Sequence, residues 1–131
     1  MSSVVGLDTS VVTRLLCGEP VEQTERATRL LLDCFDRNIQ CLVSDLVIIE
    51  TFFALTYHYG VPKREAVDKL LAFLNSGVVK SYGDALKILA AFDGKEPGLI
   101  DRFIRMDYLR KTRSIYTFDK KFSRLEGITL L

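Results

Sequence analysis

"VVGLDTSVVTRLLC", residues 4–17, is the stretch on which the fold turns. It opens as a short apolar strand over Val4–Asp8, presents Thr9 and Ser10, and continues as a short helix over Ser10–Cys17. Asp8, at the junction, has two readings. An aspartate before a helix caps it by accepting from free backbone N–H groups. A carboxylate at the end of a buried strand is equally a ligand. The stretch alone does not separate them.

Outward from this stretch the alternation repeats. Gly18-Glu19-Pro20 breaks the first helix, and a second spans about Val21 to Arg37 with Ala27, Leu30, Leu31 and Cys34 at helical spacing. Cys41–Val43 reads as a strand, Ser44 as an N-cap with Asp45 in the first turn, and the helix that follows runs to about Tyr59 and stops at Gly60. Pro62 starts another helix, sending Ala66, Leu70, Leu71 and Leu74 to the core, and Asn75-Ser76-Gly77 ends it. Then come a strand at Val78–Lys80, a helix at Asp84–Phe92, a loop at Gly94–Gly98 and a helix from about Leu99 to Arg110. Ser114–Thr117 is a fourth strand, Asp119–Leu125 a helical turn and Ile128–Leu130 a last strand. Strands separated by helices predict an α/β fold with a parallel sheet covered on both faces. No linker, repeat or low-complexity tract divides the chain, so a single domain over 1–131 is expected.

Composition narrows the class. A chain that is 48% hydrophobic and 27% charged can bury a core as an ordinary folded protein. No stretch approaches the roughly 20 apolar residues of a membrane span. Met1-Ser2-Ser3 has no positive leader region, so a cytoplasmic protein is expected. Cys17, Cys34 and Cys41 form no Cys-x-x-Cys pair and His58 is the sole histidine, which speaks against zinc and against paired imidazoles as acid and base. The three thiols are expected buried and reduced. The net charge of +1 hides an asymmetry: residues 98–131 carry eight Lys/Arg against four acids, or +4, leaving −3 for residues 1–97. Such a third attracts phosphate or is simply a solvated helix face.

Glu50 stands out in "SDLVIIETFFALTY". Its helical neighbours at i−4, i−3, i+3 and i+4 are Leu46, Val47, Phe53 and Ala54, all apolar. A carboxylate there is buried at a cost, compensated by a partner, or set at the edge of the stripe and turned to water. Asp119 follows the strand "SIYTF" as Asp8 follows "VVGL", and groups beyond the carboxyl ends of parallel strands line the usual crevice of such sheets. Asp119 also reads as a cap for "KKFSRL", and Asp101 as an ordinary first-turn acid.

Taken together, these motifs resemble the PIN-domain ribonucleases, especially the toxin subunits of toxin–antitoxin pairs, over nearly the whole chain from Val4 to Leu131. "GLDTSVV" is similar to the family's opening strand and first acid, Asp8, with Ser10 in the usual hydroxyl position. "LVSDLVIIE" resembles the second motif and places an acid at Glu50. "GLIDRFI" resembles the third, giving Asp101, and "IYTFDKKFSRL" the fourth, giving Asp119 with Thr117 two residues before it. "GITLL" is similar to the closing strand. Arg102 departs from the small residue usual after the third acid, where it would alter substrate entry or reach another acid. Thr112 replaces the common glycine at the end of that helix.

The resemblance implies a three-layer α/β/α PIN-like fold around a central, mostly parallel sheet of four or five short strands. It implies an Mg²⁺- or Mn²⁺-dependent endoribonuclease that leaves a 5′-phosphate and a 3′-hydroxyl. Hard oxygen donors suit such ions, and clustered carboxylates without one repel. Asp8, Asp101 and Asp119 are expected to hold one or two ions, with Glu50 binding metal or orienting water and Ser10 and Thr117 supporting them by hydrogen bonds. RNA is expected to approach over Arg102, Arg105, Lys120 and Lys121. Asp84 and Asp107 are expected to be surface acids. The implied partners are a cognate antitoxin whose terminal segment offers a cation to the acids, a second copy in a homodimer, and operator DNA only through the antitoxin. Phe52, Phe53, Tyr57 and Tyr59 are candidates for the dimer surface, with an ordinary core role as the alternative for each. Three rivals stand beside this reading: an RNA-processing nuclease without antitoxin, a non-catalytic RNA-binding or scaffold module, and a phosphotransfer domain using Asp8 as acceptor.

Overall fold

Strands and helices alternate as expected, and every ladder is parallel. The computed structural model describes residues 3–131; Met1 and Ser2, on which part of the leader reading rests, lie outside them. The chain divides into two compact units, Met1–Leu86 and Lys87–Leu131.

In the first unit, β1 (Val4–Gly6) leads through Asp8 into α1 (Thr9–Cys17). Asp8 is extended, at φ −90° and ψ 178°, and caps α1 by accepting from the Val11 amide at 3.2 Å. Gly18 ends that helix at φ +74°, a left-handed conformation that costs a glycine nothing. The next helix, α2 (Val21–Asp36), buries Ala27, Leu31 and Cys34, a stripe at i, i+4 and i+7, and packs on α1 and on β2 (Gln40–Val43). Leu30, the other apolar position at helical spacing, is 41% exposed, at the edge of the stripe. β2 is the central strand, with Cys41 opposite both Val5 of β1 and Val79 of β3 (Val79–Ser81). Its inward residues Cys41 and Val43 are fully buried.

Ser44 caps α3 (Asp45–Phe53) as expected, its hydroxyl accepting from the Val47 amide at 3.2 Å. Helical geometry persists to the predicted end at Tyr59, but as a wider π-helical turn over Ala54–His58, and Gly60 turns the chain at φ +65°. After Pro62, α4 (Lys63–Leu74) buries Ala66, Val67, Leu70 and Leu74, with Leu71 half-buried. Each fully buried side chain such as Ile48, Leu55 or Leu70 contributes roughly 1.5–3 kcal/mol through removal from water.

Beyond β3 the helices are α5 (Ala85–Ala91) and α6 (Leu99–Leu109). In the second unit α6 buries Leu99 and Phe103, and β4 (Ile115–Thr117) pairs in parallel with β5 (Ile128–Leu130). Thr112, the departure from glycine, ends the helical run by donating its amide to the Tyr108 carbonyl at 2.9 Å, and its hydroxyl accepts from the Ser114 amide at 3.2 Å. A 3₁₀ turn over Phe122–Arg124, with Phe122 buried, links β4 to β5. The five strands therefore form a three-stranded ladder, β1-β2-β3, and a two-stranded one, β4-β5, where a single sheet was expected.

Two cysteines are buried, Cys34 and Cys41, whereas Cys17 is only half-buried, a correction to the expected three. Burial pushes both Cys17 and Cys41 thiols up, and the adjacent Cys34 adds to the effect at Cys41, which reaches about 11. No helix among the described residues is long and apolar enough to cross a membrane.

Candidate active site

Each unit carries part of the expected acid set on a rigid junction. In the first, Asp8 sits where β1 gives way to α1. Its Oδ1 accepts from the Ser10 hydroxyl at 2.7 Å and from the Val11 amide. The Ser10 bond, more than the Val11 bond, holds the carboxyl below its ordinary value. Cap and oriented acid are thus one geometry. Glu50 comes from α3 and accepts from the Thr9 hydroxyl at 2.9 Å. It is exposed, so of its three readings burial is excluded. The buried stripe of α3 is Ile48, Thr51 and Phe52, continued by Leu55, and Glu50 lies off it. Leu46, one of its four apolar neighbours, is itself 74% exposed, in keeping with the stripe-edge reading.

Asp8 and Glu50 share an open cavity of about 530 Å³ with Thr9, Ser10, Thr13, Arg14, Val47, Ala54, His58 and Tyr59. Sequence reasoning assigned only Asp8, Ser10 and Glu50 of these to the site; Thr9, Arg14, His58 and Tyr59 are among the members it did not. The signal available for Arg14 was its position four residues after Ser10, on the same face of α1.

In the second unit, Asp119 follows β4 and repeats the local device of Asp8. Its Oδ1 accepts from the Lys121 amide at 2.8 Å and the Phe122 amide at 3.3 Å. Thr117, expected to support an acid, does so through the backbone, its hydroxyl accepting from the Asp119 amide at 2.9 Å. Asp101 is half-buried in the first turn of α6. Burial raises its pKa, and Asp119 and then Glu96 push it further the same way. Glu96 is a member of this acid group that no sequence pattern singled out.

The basic residues divide. Arg102 does reach another acid, Asp93, at 3.5 Å, and donates to the Pro97 carbonyl at 2.9 Å while its guanidinium lies over the Phe92 ring at 5.3 Å. With a side chain only 22% exposed, it holds the 93–97 loop, the reach to another acid being one of the two roles expected for it. Arg105 donates to the Glu126 carbonyl at 2.7 Å and is half-buried. Lys120 and Lys121 are exposed. Asp107 is exposed as expected, but Asp84 is half-buried, its amide donating to the Asp45 carboxylate at 3.0 Å. Of the candidates for a subunit surface, Phe52 is buried, Phe53 half-buried, and Tyr57 and Tyr59 exposed.

The acids fit a hard divalent cation in kind: they supply carboxylate oxygens, and Asp101 bears the repulsion that a cation relieves. Among the described residues no three His, Cys, Asp or Glu side chains form a ready ligand group.

Parallel strands alternating with helices, with oriented carboxylates just past β1 and β4, define the chain as an α/β protein. The family model for the PIN domain matches residues 5–128, and the chain belongs to that family. PIN domains are in general nucleases, and they typically use divalent metal ions. No curated relative matches the chain.

Proposed function

We propose that the protein is a metal-dependent endoribonuclease that hydrolyses RNA phosphodiester bonds, and that it is the toxin of a toxin–antitoxin pair. The observation that supports this most is the repeated device at the strand ends. Asp8 and Asp119, both exposed, are each fixed through Oδ1 by donors two and three residues further along the chain, so each is oriented before any ligand arrives. Asp8, Asp101, Asp119 and Glu50 would hold one or two Mg²⁺ or Mn²⁺ ions. Once bound, the ion supplies an acidified water and stabilises the leaving oxygen. The Ser10 hydroxyl orients the Asp8 carboxylate, the Thr9 hydroxyl aims Glu50, and Thr117 fixes the backbone at Asp119. Exposed Lys120 and Lys121 offset phosphate charge on the approach.

The antitoxin reading draws on the groove between α1 and α2, about 420 Å³, which opens beside Ser10 and is lined by Val11, Arg14, Gln23, Arg26, Ala27 and Leu30. Val11, Ala27 and the 41%-exposed Leu30 supply its apolar surface for a terminal segment of such a partner. Tyr57 and Leu46, each 74% exposed, are offered to a second copy in a homodimer.

Purified protein is expected to cut RNA only with Mg²⁺ or Mn²⁺, and Asp8→Asn and Asp119→Asn are each expected to abolish cleavage while leaving the circular dichroism spectrum intact. Undiminished cleavage by either variant overturns the assignment. RNA binding without cleavage in the wild type moves it to the binding-module reading. Growth arrest on expression, relieved by the Asp8→Asn change, is the outcome expected of a toxin.

A further inference from the structure

The cavity that holds Asp8 and Glu50 continues past them to a basic and aromatic end, along α1 to Arg14 and along the π-helical turn to His58 and Tyr59. Arg14 borders both this cavity and the α1–α2 groove, and its Nε donates to the Gln23 side chain on α2 at 2.7 Å. That bond leaves its terminal N–H groups for another acceptor. No carboxylate among the described residues forms an ion pair with it, although two line the same cavity. A guanidinium that leaves neighbouring carboxylates unpaired suits an anion that arrives with the ligand, and its fork matches phosphate oxygens. Tyr59 is 41% exposed, and its backbone is fixed by donation to the Ala54 carbonyl at 3.2 Å just before the left-handed Gly60. An exposed aromatic ring on a fixed backbone offers its face for stacking on a flat π system. The volume, about 530 Å³, falls within the roughly 300–1,000 Å³ of small-ligand sites.

We propose that this end of the cavity is a nucleotide subsite, in which Arg14 takes a phosphate adjacent to the one at the acids and Tyr59 stacks on the base of an unpaired nucleotide, with His58 flanking it. The inference rests on the nuclease reading and adds to it the residues that grip the substrate beside the cut. It requires a base free of its own stack, so the strand is single at this point. It also removes Tyr59 from the residues available to a second subunit.

The test uses the full chain with Asp119→Asn to prevent cleavage, in Mg²⁺, and a fluorescein-labelled ten-nucleotide RNA of mixed sequence carrying 2-aminopurine at alternate positions. The single strand is expected to bind more tightly than the same RNA annealed to its complement, with quenching of 2-aminopurine. Tyr59→Ala is expected to weaken binding about tenfold and abolish the quench, and Tyr59→Phe to restore both. Arg14→Gln is expected to lower the slope of log affinity against log salt by about 0.7. If Tyr59→Ala does not fold, Tyr59→Leu, with apolar bulk and no π face, gives the same reading. Equal binding of single strand and duplex, or an unchanged quench without the Tyr59 ring, overturns the subsite. Cleavage by the wild type with these results leaves the nuclease reading standing. A wild type that neither binds nor cuts RNA overturns both.

Discussion

Replacing Asp8 by asparagine keeps an oxygen for the Val11 amide and removes the charge, whereas alanine removes both. Because asparagine and aspartate cap helices about equally well, Asp8→Asn tests chemistry with the α1 cap in place. Asp8→Ala is expected to lower unfolding free energy by about 1 kcal/mol with an unchanged urea slope. The pH dependence follows from the depressed carboxyl. Its contribution to stability is present above the ordinary value of 3.8 and lost as pH falls through the folded value. The stability gap between wild type and Asp8→Asn should therefore close in acid; a gap that stays constant with pH denies the Ser10 and Val11 bonds their role. At this scale the identity of an acid was legible and its surroundings were not. Asp8 and Asp119 could be found because each follows a strand. The sequence holds Glu50 between three readings, because its neighbours' burial cannot be read from it; the structure leaves it exposed, with the Thr9 hydroxyl as its partner. Arg102 had no settled role because its partners, Asp93 and the Pro97 carbonyl, lie on an irregular loop without periodicity.

Elements were more legible than their connections. Short apolar runs between amphipathic stretches located every strand to within about two residues, because burial imposes a pattern that a loop does not. The loop after β3 had no such pattern, and it carries a contact that the residues alone did not announce. There the Asp84 amide donates to Asp45 Oδ2, while Asp45 Oδ1 is buried without a partner among the described residues. A methyl group on Gly83 would run into that same carboxylate. Gly83 is thus required for close approach, its φ being unexceptional. Gly83→Ala is expected to destabilise the protein by about 1–3 kcal/mol in urea unfolding. In an Asp45→Ala background the same change should cost distinctly less, because the clashing group is gone. Additive costs would show that Gly83 serves some other constraint.

Across the whole molecule, charge was legible as a total and not as a surface. The +4 of residues 98–131 suggested a phosphate-attracting patch, yet Arg102 and Arg105 spend donors on Asp93 and on backbone carbonyls. The acids show the converse. Asp101 lies at a helix N-terminus, where an anion is ordinarily favoured, yet its pKa is raised by burial and by Asp119 and Glu96. A raised carboxyl contributes stability below 3.8, which is lost as pH rises through the folded value, so at neutral pH the metal-free protein bears the crowding. Asp101→Asn should therefore melt higher than wild type at pH 7 without metal, with the difference gone or reversed near pH 3. Mn²⁺ at about 100 times its Kd should stabilise the wild type by roughly 2.7 kcal/mol, and this gain should shrink in Asp101→Asn. A variant less stable than wild type at pH 7 sinks the crowding account. An equal Mn²⁺ gain in both removes Asp101 from the ligand set and leaves the cation to the other acids. The combination of greater metal-free stability and weaker metal response is hard to obtain from a merely structural acid, because restoring a lost packing role would change stability without changing the response to Mn²⁺.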